Sequence, residues 1–526
     1  MKNSINLLDC TLRDGGYVNE WNFGYKNILY ILNNLISGGV RHIELGYLKN
    51  GSFNDNVALF SNLDEVNRVL INLESIKQKI TFYLMVNFGD FEVKKLPLCE
   101  SIEFDIAIRF AFHLEDINYI ETDILSLFSK GFKVLLQPML TKIYNPIDLK
   151  KLVTLSNKYS FNCVYIVDSF GNLSESEIRN IGAYLNNHLN PSIGIGLHLH
   201  DNLQTSLLRA VSFIDQKYKR DIYIDTSVSG VGRGAGNLHT EILADTLNSK
   251  YGANFSIIFF LKLIDEYFEL LKKEYGWGYS MSYFLSSKYG CHPNYASFFS
   301  DRKQFSVETV DELLKNLNDS QKIRFSKDYA EDYLDIFMSS YSKKTSSSEI
   351  LNIFKNKRIL LLGPGKSIIK NKNLIHRKIR EKDLLVISLN FVSSEIDIDY
   401  AFFSNEKRFE TFKDSSCKFI LSSNIPCENA SLVIDIEKLK NGIVKSTNSF
   451  LMLLNLMVSF GFKEVYSAGI DGYDKNFINN YFYSHIGQIT KTIELEKRNN
   501  HLIKNIKKLN KEISIVNLTK SKILNF

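Results

Sequence analysis

The amino-acid sequence predicts an α/β protein with two domains: an N-terminal barrel and a smaller C-terminal domain. Over roughly the first 300 residues, short apolar runs alternate with helical stretches in β-α order. A polar, Ser- and Lys-rich segment follows at residues 339–349, and after it the alternation of strand and helix starts again. With 526 residues, the chain is long enough for two or three domains.

Eight apolar runs in the first part have the length and composition of buried strands. Segments between them, such as residues 27–39, carry apolar residues at helical spacing and end at glycine. Eight strands in this order predict a (β/α)8 TIM barrel of the usual size, about 250 residues; an open doubly wound sheet is the alternative. The predicted strands are residues 5–9, 42–47, 80–86, 104–110, 133–139, 163–169, 195–200 and 222–230.

The chain is predicted to divide into four segments. Residues 1–270 form the barrel, and residues 271–340, which are rich in aromatic side chains, form a helical extension over the barrel mouth. Residues 341–350 form a linker, and residues 351–526 form a Rossmann-like α/β domain. The elements predicted in this last domain are strands at 357–363, 383–390, 400–404, 417–423 and 464–471, and a helix at 448–461.

Composition and charge argue against several classes of protein. An apolar fraction of 44% and a net charge of +6 indicate a globular protein with a core and without a nucleic-acid partner. The six cysteines form no Cys-x-x-Cys pair, which argues against a zinc ribbon or a disulfide framework. The most apolar helix candidate, residues 450–462, is too short to span a membrane, and no signal peptide is recognised. We expect a cytoplasmic protein, and a homo-oligomer is compatible with these observations.

The stretch "GLHLHDN" carries two histidines, His198 and His200, at the end of the seventh predicted strand. A strand directs both side chains to the same side, and barrel closure brings them to the mouth where Asp14 follows the first strand. Two histidines and one carboxylate suit a divalent ion that keeps coordination positions open. The sequence therefore predicts a metal site formed by these three residues.

Other polar residues are predicted at the same mouth. Arg13 is adjacent to a metal ligand and is suited to stabilise the oxyanion of an enolate. Arg109 and Gln137, on the fourth and fifth strands, are predicted to bind substrate. The alternative for Arg109 is an internal ion pair with Glu44 of the second strand.

The segments "LLDCTLRDGG", "GLHLHDN" and "GVGRGAGNLHTE" resemble the signature segments of the metal-dependent pyruvate aldolase and Claisen-condensation family. This family includes 4-hydroxy-2-oxovalerate aldolase, hydroxymethylglutaryl-CoA lyase and isopropylmalate synthase, and the resemblance covers about residues 1–300. It implies that Mg²⁺ or Mn²⁺ is held by the three predicted ligands. It also implies that Asn237 is a further ligand, as in some members, that Arg13 stabilises an enolate, and that Ser169 lies near the 2-oxo acid.

The resemblance implies a reaction that makes or breaks a C–C bond between an aldehyde and the enolate of pyruvate or a related 2-oxo acid. A divalent ion acts there as a Lewis acid on the keto oxygen. One alternative is an acyl-CoA-dependent Claisen condensation. Another is a non-catalytic barrel that binds metal or a metabolite and serves a C-terminal transferase.

The residue that transfers the proton departs from the family pattern. In the hydroxy-oxo acid aldolases a histidine follows "RDG" by one residue, and here that position is Tyr17. Tyr17 itself, His239 and Tyr289 are the candidates to which we give a catalytic role, and His292 and Tyr295 are further ones. The sequence does not select among them.

The second domain contains the glycine turn "LLLGPGKSI", but a Walker A motif requires a glycine where this chain has Leu360. The order of its segments resembles bacterial sialyltransferase-like nucleotide-sugar domains. The pairing of such a domain with an aldolase-like barrel suggests a role in making an unusual sugar or a surface glycan. A turn without a ligand is the alternative. The residues predicted to contact a nucleotide or nucleotide sugar are Gly363, Gly365, Ser367, Asn390, Thr447 and Asp471.

Overall fold

A computed structural model describes residues 4–73, 79–159, 161–301, 305–341, 344–474, 481 and 492–524. The chain folds as two compact units. The first comprises Met1–Ser297 and Asn318–Arg324, and the second comprises Phe298–Leu317 and Phe325–Phe526. The segment predicted as a helical extension is thus divided between the units. In the segment predicted as a linker, a helix begins at Ser347.

The first unit contains a closed parallel barrel of eight strands, as predicted. Each strand pairs with its neighbours in chain order, and the first pairs with both the second and the last, which closes the barrel. A two-residue strand, Leu59–Phe60, is added beside the second strand. The barrel strands are β1 (Ile5–Asp9), β2 (His42–Leu48), β3 (Thr81–Asn87), β4 (Asp105–Phe112), β5 (Lys133–Pro138), β6 (Cys163–Asp168), β7 (Gly194–Leu199) and β8 (Ile222–Thr226).

Helices connect the strands and cover the barrel. Their buried faces pack on the outward side chains of the strands to form the main core. A π-helical stretch, Ile264–Phe268, joins two of them. The α-helices are Thr11–Asp14, Tyr25–Ser37, Leu63–Leu70, Glu121–Ser129, Pro146–Tyr159, Glu175–His188, Ser206–Ile214, Thr240–Tyr251, Ile257–Leu263, Glu269–Tyr275, Met281–Tyr289, Pro293–Ser300 and Asp319–Lys322. The 3₁₀ turns are Gly15–Val18, Val93–Lys95, Cys99–Ser101, Leu114–Asp116, Thr141–Ile143 and Val228–Gly230.

The inward side chains form two layers of different chemistry. Leu8, Tyr83, Leu135 and Tyr165 belong to an apolar cluster separate from the main core. Because side chains alternate along a strand, the next inward positions towards the carboxyl ends hold polar residues. These are Glu44, Arg109, Gln137, His198 and Asp225, each at most 4% exposed.

The second unit is built on a parallel sheet of seven strands. Its strand order is β13-β12-β11-β10-β9-β14-β15, so the direction of winding reverses at β9. The strands are β9 (Arg358–Leu362), β10 (Leu384–Leu389), β11 (Tyr400–Phe403), β12 (Phe419–Ser422), β13 (Leu432–Ile434), β14 (Glu464–Ala468) and β15 (Ser514–Asn517). The helices are Val307–Lys315, Lys327–Tyr341, Ser347–Phe354, Ser367–Lys370, Lys372–Ile379, Glu406–Phe409, Ile436–Lys440, Ser449–Ser459 and Thr492–Leu509.

Strands β13 and β15 were not predicted, because they have only three and four residues and no alternating pattern. The helix predicted at 448–461 is present as Ser449–Ser459 and is buried over most of its length. In the described part of the chain, no helix combines the length and apolar character needed to cross a bilayer.

Candidate metal centre

Asp14, His198 and His200 converge at the carboxyl end of the barrel. His198 lies on β7 and His200 just beyond it, and a short helix that follows β1 carries Asp14. Asp14 Oδ2 lies 3.5 Å from His198 Nε2 and 3.9 Å from His200 Nε2. All three side chains are buried, and one ligand atom from each lies within 4.8 Å of the others. The distances suit a shared cation.

Both imidazole rings are oriented by hydrogen bonds on the side away from Asp14. His198 Nδ1 lies 2.9 Å from Asp225 Oδ2, and His200 Nδ1 lies 3.0 Å from the backbone oxygen of Asp168. Each bond places the hydrogen on Nδ1 and leaves the Nε2 lone pair towards the centre. The Asp168 carboxylate is itself held by Arg209.

Asp14 Oδ2 and Asn237 Oδ1 are among the buried oxygens that have no hydrogen-bond partner within the described part of the chain. Asn237 pairs through its backbone with His200, which places it beside the ligands. Buried polar atoms without a partner are rare because no hydrogen bond offsets the free-energy cost of removing them from water. A divalent cation would satisfy Asp14 Oδ2 together with both Nε2 atoms, so the residues present fit a metal ion.

The surroundings favour the deprotonated forms of Asp14 and His200 but the protonated form of His198. Burial raises the pKa of Asp14, but the Arg13 guanidinium and the two imidazoles outweigh it and hold this pKa well below its usual range. Burial lowers the pKa of His200 to about 3, so its ring is neutral. Burial also lowers the pKa of His198, but Asp14 and Asp225 outweigh it and raise this pKa. A metal would therefore compete with a proton for His198 Nε2.

Beneath the ligands, buried charges form a continuous chain of ion pairs. Glu44 Oε2 accepts from Arg13 Nε at 2.8 Å and from Arg109 Nη1 at 2.7 Å. Arg109 Nη2 donates to Asp225, and Arg13 Nη1 lies 3.0 Å from Asp14 Oδ1. These ion pairs thus connect the candidate ligand Asp14 to Asp225, the carboxylate that orients His198.

The three residues predicted to bind substrate occupy different positions. Arg109 is fully buried between Glu44 and Asp225. Gln137 faces it, and with the amide oriented to accept, its oxygen lies 3.1 Å from Arg109 Nε. Ser169 Oγ accepts from the backbone N–H of Leu140 at 3.0 Å.

An aromatic group lines the mouth near Arg13. The hydroxyls of Tyr17 and Tyr47 lie 2.9 Å apart, and Trp21 makes edge contacts with both rings. Trp21 has a φ of +59° and donates its indole N–H to the backbone oxygen of Arg13 at 2.7 Å. A bulky residue in this backbone conformation is strained, which is common at functional sites.

The other candidates for proton transfer have separate surroundings. His239 precedes the helix Thr240–Tyr251, and its Nδ1 lies 2.9 Å from Glu241 Oε1. Tyr289 ends the helix Met281–Tyr289, with the Lys288 ammonium over its ring. Among the candidates, Tyr17 is joined by side-chain contacts through Tyr47 to Arg13.

Two residues of the centre were missed by the sequence analysis: Asp225 and Trp21. The alternation in "IYIDT" places Asp225 inside the barrel beside His198, so the pattern contained a usable signal. The position of Trp21 depends on a turn in which Glu20 and Trp21 both have positive φ. Such turns are usually predicted from glycine, and neither position is a glycine.

The barrel can now be compared with known proteins. Residues 4–255 match the model of the HMGL-like family. This confirms the resemblance found in the sequence. The chain is 25% identical over 245 residues to a 4-hydroxy-2-oxovalerate aldolase from Pseudoalteromonas translucida, covering 46% of this chain and 70% of that protein. It is 28% identical over 263 residues to one from Thermomicrobium roseum, covering 49% and 70%.

Among solved structures, the N-terminal domain of a putative aldolase from Bacteroides vulgatus is 24% identical to this chain. The match covers 59% of this chain and 99% of that domain, with a TM-score of 0.49. The HMGL-like match and the alignments to the two aldolase relatives each cover less than half of the chain.

In the second unit, the glycine turn holds a carboxylate of the protein. Asp471 Oδ2 accepts from the backbone N–H of Ser367 at 2.7 Å, and the Ser367 hydroxyl donates to the other oxygen. A Cβ added at Gly365 would lie 2.4 Å from Asp471. The backbone of the turn therefore donates to the Asp471 carboxylate, in the position where the backbone of a phosphate-binding loop donates to phosphate.

A cavity lies at the carboxyl ends of β9, β10 and β14, where the winding of the sheet reverses. Gly365, Asn390 and Asp471 of the predicted nucleotide contacts line it, together with Arg408, Ser449 and Tyr473. Gly363, Ser367 and Thr447 are not among its lining residues within the described part of the chain. In doubly wound sheets such reversal points are where ligands bind.

Proposed function

We propose that the barrel is a divalent-metal-dependent aldolase. It would use Mg²⁺ or Mn²⁺ to make or break a C–C bond between an aldehyde and the enolate of pyruvate or a related 2-oxo acid. This proposal rests on the buried ligand atoms of Asp14, His198 and His200, which lie close together. Of these atoms, Asp14 Oδ2 has no hydrogen-bond partner in the described part of the chain. The HMGL-like match and the aldolase relatives support it.

The bound ion would supply Lewis acidity to a keto oxygen. The protein's own contribution begins with Arg13, whose Nε and Nη1 are fixed by Glu44 and Asp14. This leaves its Nη2 to donate to an oxygen that gains negative charge as the enolate forms. Because both carboxylates are buried, the guanidinium is held in place before substrate binds.

We assign proton transfer to the Tyr17–Tyr47 pair. Tyr47 is buried beside Arg13, and burial raises its pKa well above the usual range, so it remains a neutral donor. Tyr17 is 39% exposed and shares a 2.9 Å hydrogen bond with Tyr47. The two hydroxyls can pass a proton between the reacting carbon and solvent.

The test is exchange of pyruvate methyl protons in D₂O, followed by NMR with Mn²⁺-loaded protein. Exchange that is lost with EDTA and in His198→Ala supports the proposal. Absence of exchange, with release of free thiol from acetyl-CoA and a 2-oxo acid, would instead indicate a Claisen condensation. Absence of both reactions in protein that retains its metal would leave a non-catalytic barrel.

We further propose that the cavity of the second unit binds a nucleotide or nucleotide sugar. Because Asp471 already fills the glycine turn, the phosphates would lie towards Arg408 and the N-terminus of the helix Ser449–Ser459. The carboxylate would remain available to ligand hydroxyls. The combination with an aldolase is our basis for proposing a role in synthesis of an unusual sugar or surface glycan.

Thermal shifts with nucleoside mono- and diphosphates test this second proposal. A ligand at 100 times its Kd stabilises the folded state by about 2.7 kcal/mol. We expect a shift with at least one nucleotide that is lost in Asn390→Ala. Equal melting temperatures with and without every nucleotide would contradict it.

A further inference from the structure

Arg233 differs from the other arginines at the barrel mouth, because it has no carboxylate partner in the described part of the chain. Arg13, Arg109 and Arg209 each form ion pairs with buried carboxylates. Arg233 lies on the loop after β8 and is only partly exposed. Its guanidinium can therefore pair with an anion that comes from outside the protein.

The two groups that contact Arg233 are uncharged. Its guanidinium carbon lies 5.6 Å from the centre of the Tyr17 ring, and Nη1 lies 3.2 Å from His292 Nε2. Burial, together with Arg233 itself, lowers the pKa of His292 to about 3, so the imidazole is neutral. A guanidinium has five N–H donors, and within the described part of the chain the Arg233 side chain uses one of them, on Nη1.

The loop that carries Arg233 is fixed on both sides. The backbone N–H of Gly278 donates to the oxygen of Gly234 at 3.1 Å, and the Trp277 indole donates to the oxygen of Ser229 at 2.9 Å. Gly236 donates to the oxygen of Arg233 itself at 3.1 Å. The cation is therefore held in position without a ligand, which lowers the entropic cost of binding one.

Arg233 and Arg13 lie at opposite ends of a row of aromatic contacts. Arg13 lies 6.0 Å from the Tyr47 ring centre, Tyr47 contacts Tyr17, and Tyr17 contacts Arg233. Arg233 lies on the loop whose Asn237 pairs through its backbone with His200, so it lies at the same mouth as the candidate ligands. Arg13 and Arg233 are thus separated by the two tyrosine rings, and the two cations are suited to bind two different groups of the substrates.

We infer that Arg233, with the Tyr17 ring as a wall, binds the anionic group of the aldehyde substrate. The aldehyde would thus carry a carboxylate or a phosphate, while the metal ligands and Arg13 receive the 2-oxo acid. This inference rests on the proposed aldolase function. A guanidinium recognises either anion through paired, charge-assisted hydrogen bonds.

The experiment compares aldehydes that differ in one anionic group: glyceraldehyde 3-phosphate with glyceraldehyde, and succinic semialdehyde with butanal. With pyruvate and Mn²⁺, we expect kcat/KM to be about 10- to 100-fold higher for one anionic member, as hydrogen bonds to charged groups predict. In Arg233→Gln this ratio should fall towards one, and Arg233→Lys should retain part of it. Arg179→Gln, at an exposed ion pair on the helix Glu175–His188, is the matched control.

Direct binding separates failure of this inference from failure of the proposed function. Calorimetry with glyceraldehyde 3-phosphate or succinic semialdehyde, without a 2-oxo acid, should show binding to the wild type that weakens in Arg233→Gln. If that holds and pyruvate exchange is absent, the anion subsite stands and the aldolase assignment fails. If exchange occurs but neither anion is preferred or bound through Arg233, the inference is wrong. It is also wrong if Arg233→Gln raises the KM of pyruvate in exchange as much as that of the aldehyde.

Discussion

His198 Nδ1 lies 2.9 Å from the carboxylate of Asp225, on the side of the ring opposite Asp14. The bond fixes both the orientation of the ring and the position of its hydrogen. Asp225 is in turn paired with the fully buried Arg109. The carboxylate therefore acts on the metal centre through His198 without being a ligand.

Asp225→Asn should weaken Mn²⁺ binding by about 10- to 100-fold, the usual effect of removing such a partner. Calorimetric titration of the metal measures this. Asp168→Asn is the matched control, since it also breaks a buried pair with an arginine but leaves the backbone oxygen that orients His200. Equal losses of affinity in the two variants would mean that general destabilisation, not ring orientation, is responsible.

Tyr17→Phe and Tyr47→Phe should each slow pyruvate proton exchange by about 100-fold or more, because general acid–base groups contribute on this scale. Metal affinity should stay at the wild-type value, since neither hydroxyl contacts a ligand atom. If the two hydroxyls act as one relay, the double variant should be no slower than the slower single variant. Multiplied effects would contradict a shared relay.

Gly16→Ala should destabilise the first unit by about 1–3 kcal/mol, the usual cost of overpacking. The added Cβ would lie 2.0 Å from the Trp21 indole, which supports Tyr17 and Tyr47. Urea denaturation measures the loss. Gly194→Ala, whose nearest contact would be 3.1 Å, should cost less. A larger loss of stability in Gly194→Ala than in Gly16→Ala would show that the Trp21 indole is not tightly held.

Acid should destabilise the protein partly through His42. Burial lowers the pKa of His42 from 6.5 to about 4, so between these values the unfolded state binds more protons than the folded state. The free energy of unfolding therefore falls as pH decreases through this window, by roughly 3 kcal/mol in total.

Denaturation at pH 7 and pH 4.5 should show that His42→Asn loses less stability on acidification than the wild type. His188→Asn, at an exposed histidine whose Nδ1 donates to the backbone oxygen of Tyr184, should behave as the wild type. If His42→Asn loses as much stability on acidification as the wild type, His42 does not contribute to the acid dependence.

The barrel and the convergence of Asp14, His198 and His200 at its mouth were predictable because both depend on regular patterns. Alternation along β7 places His198 and His200 on one side, and closure of eight strands brings Asp14 to them over a long distance in sequence. The resemblance to a known family rests on the same segments, and the HMGL-like match confirms it.

The Arg109–Glu44 ion pair was one of two predicted alternatives, but contacts between side chains on distant loops were not predictable. The pairing of Ser367 with Asp471 depends on how two loops of the second unit meet, and no spacing in the sequence encodes it. The Arg233–His292 contact likewise joins the loop after β8 to a helical segment far along the chain. Strand β13 escaped prediction because three residues carry too little pattern.

We propose that one metal ion held by Asp14, His198 and His200 drives enolate formation. The most direct test of this proposal is the rate of pyruvate methyl exchange, measured by NMR as Mn²⁺ is added to EDTA-stripped protein. We predict no exchange before addition, a rise that saturates at one equivalent per chain, and no rise in Asp14→Asn. Exchange at the full rate in stripped protein, or an unchanged rise in Asp14→Asn, would contradict the account.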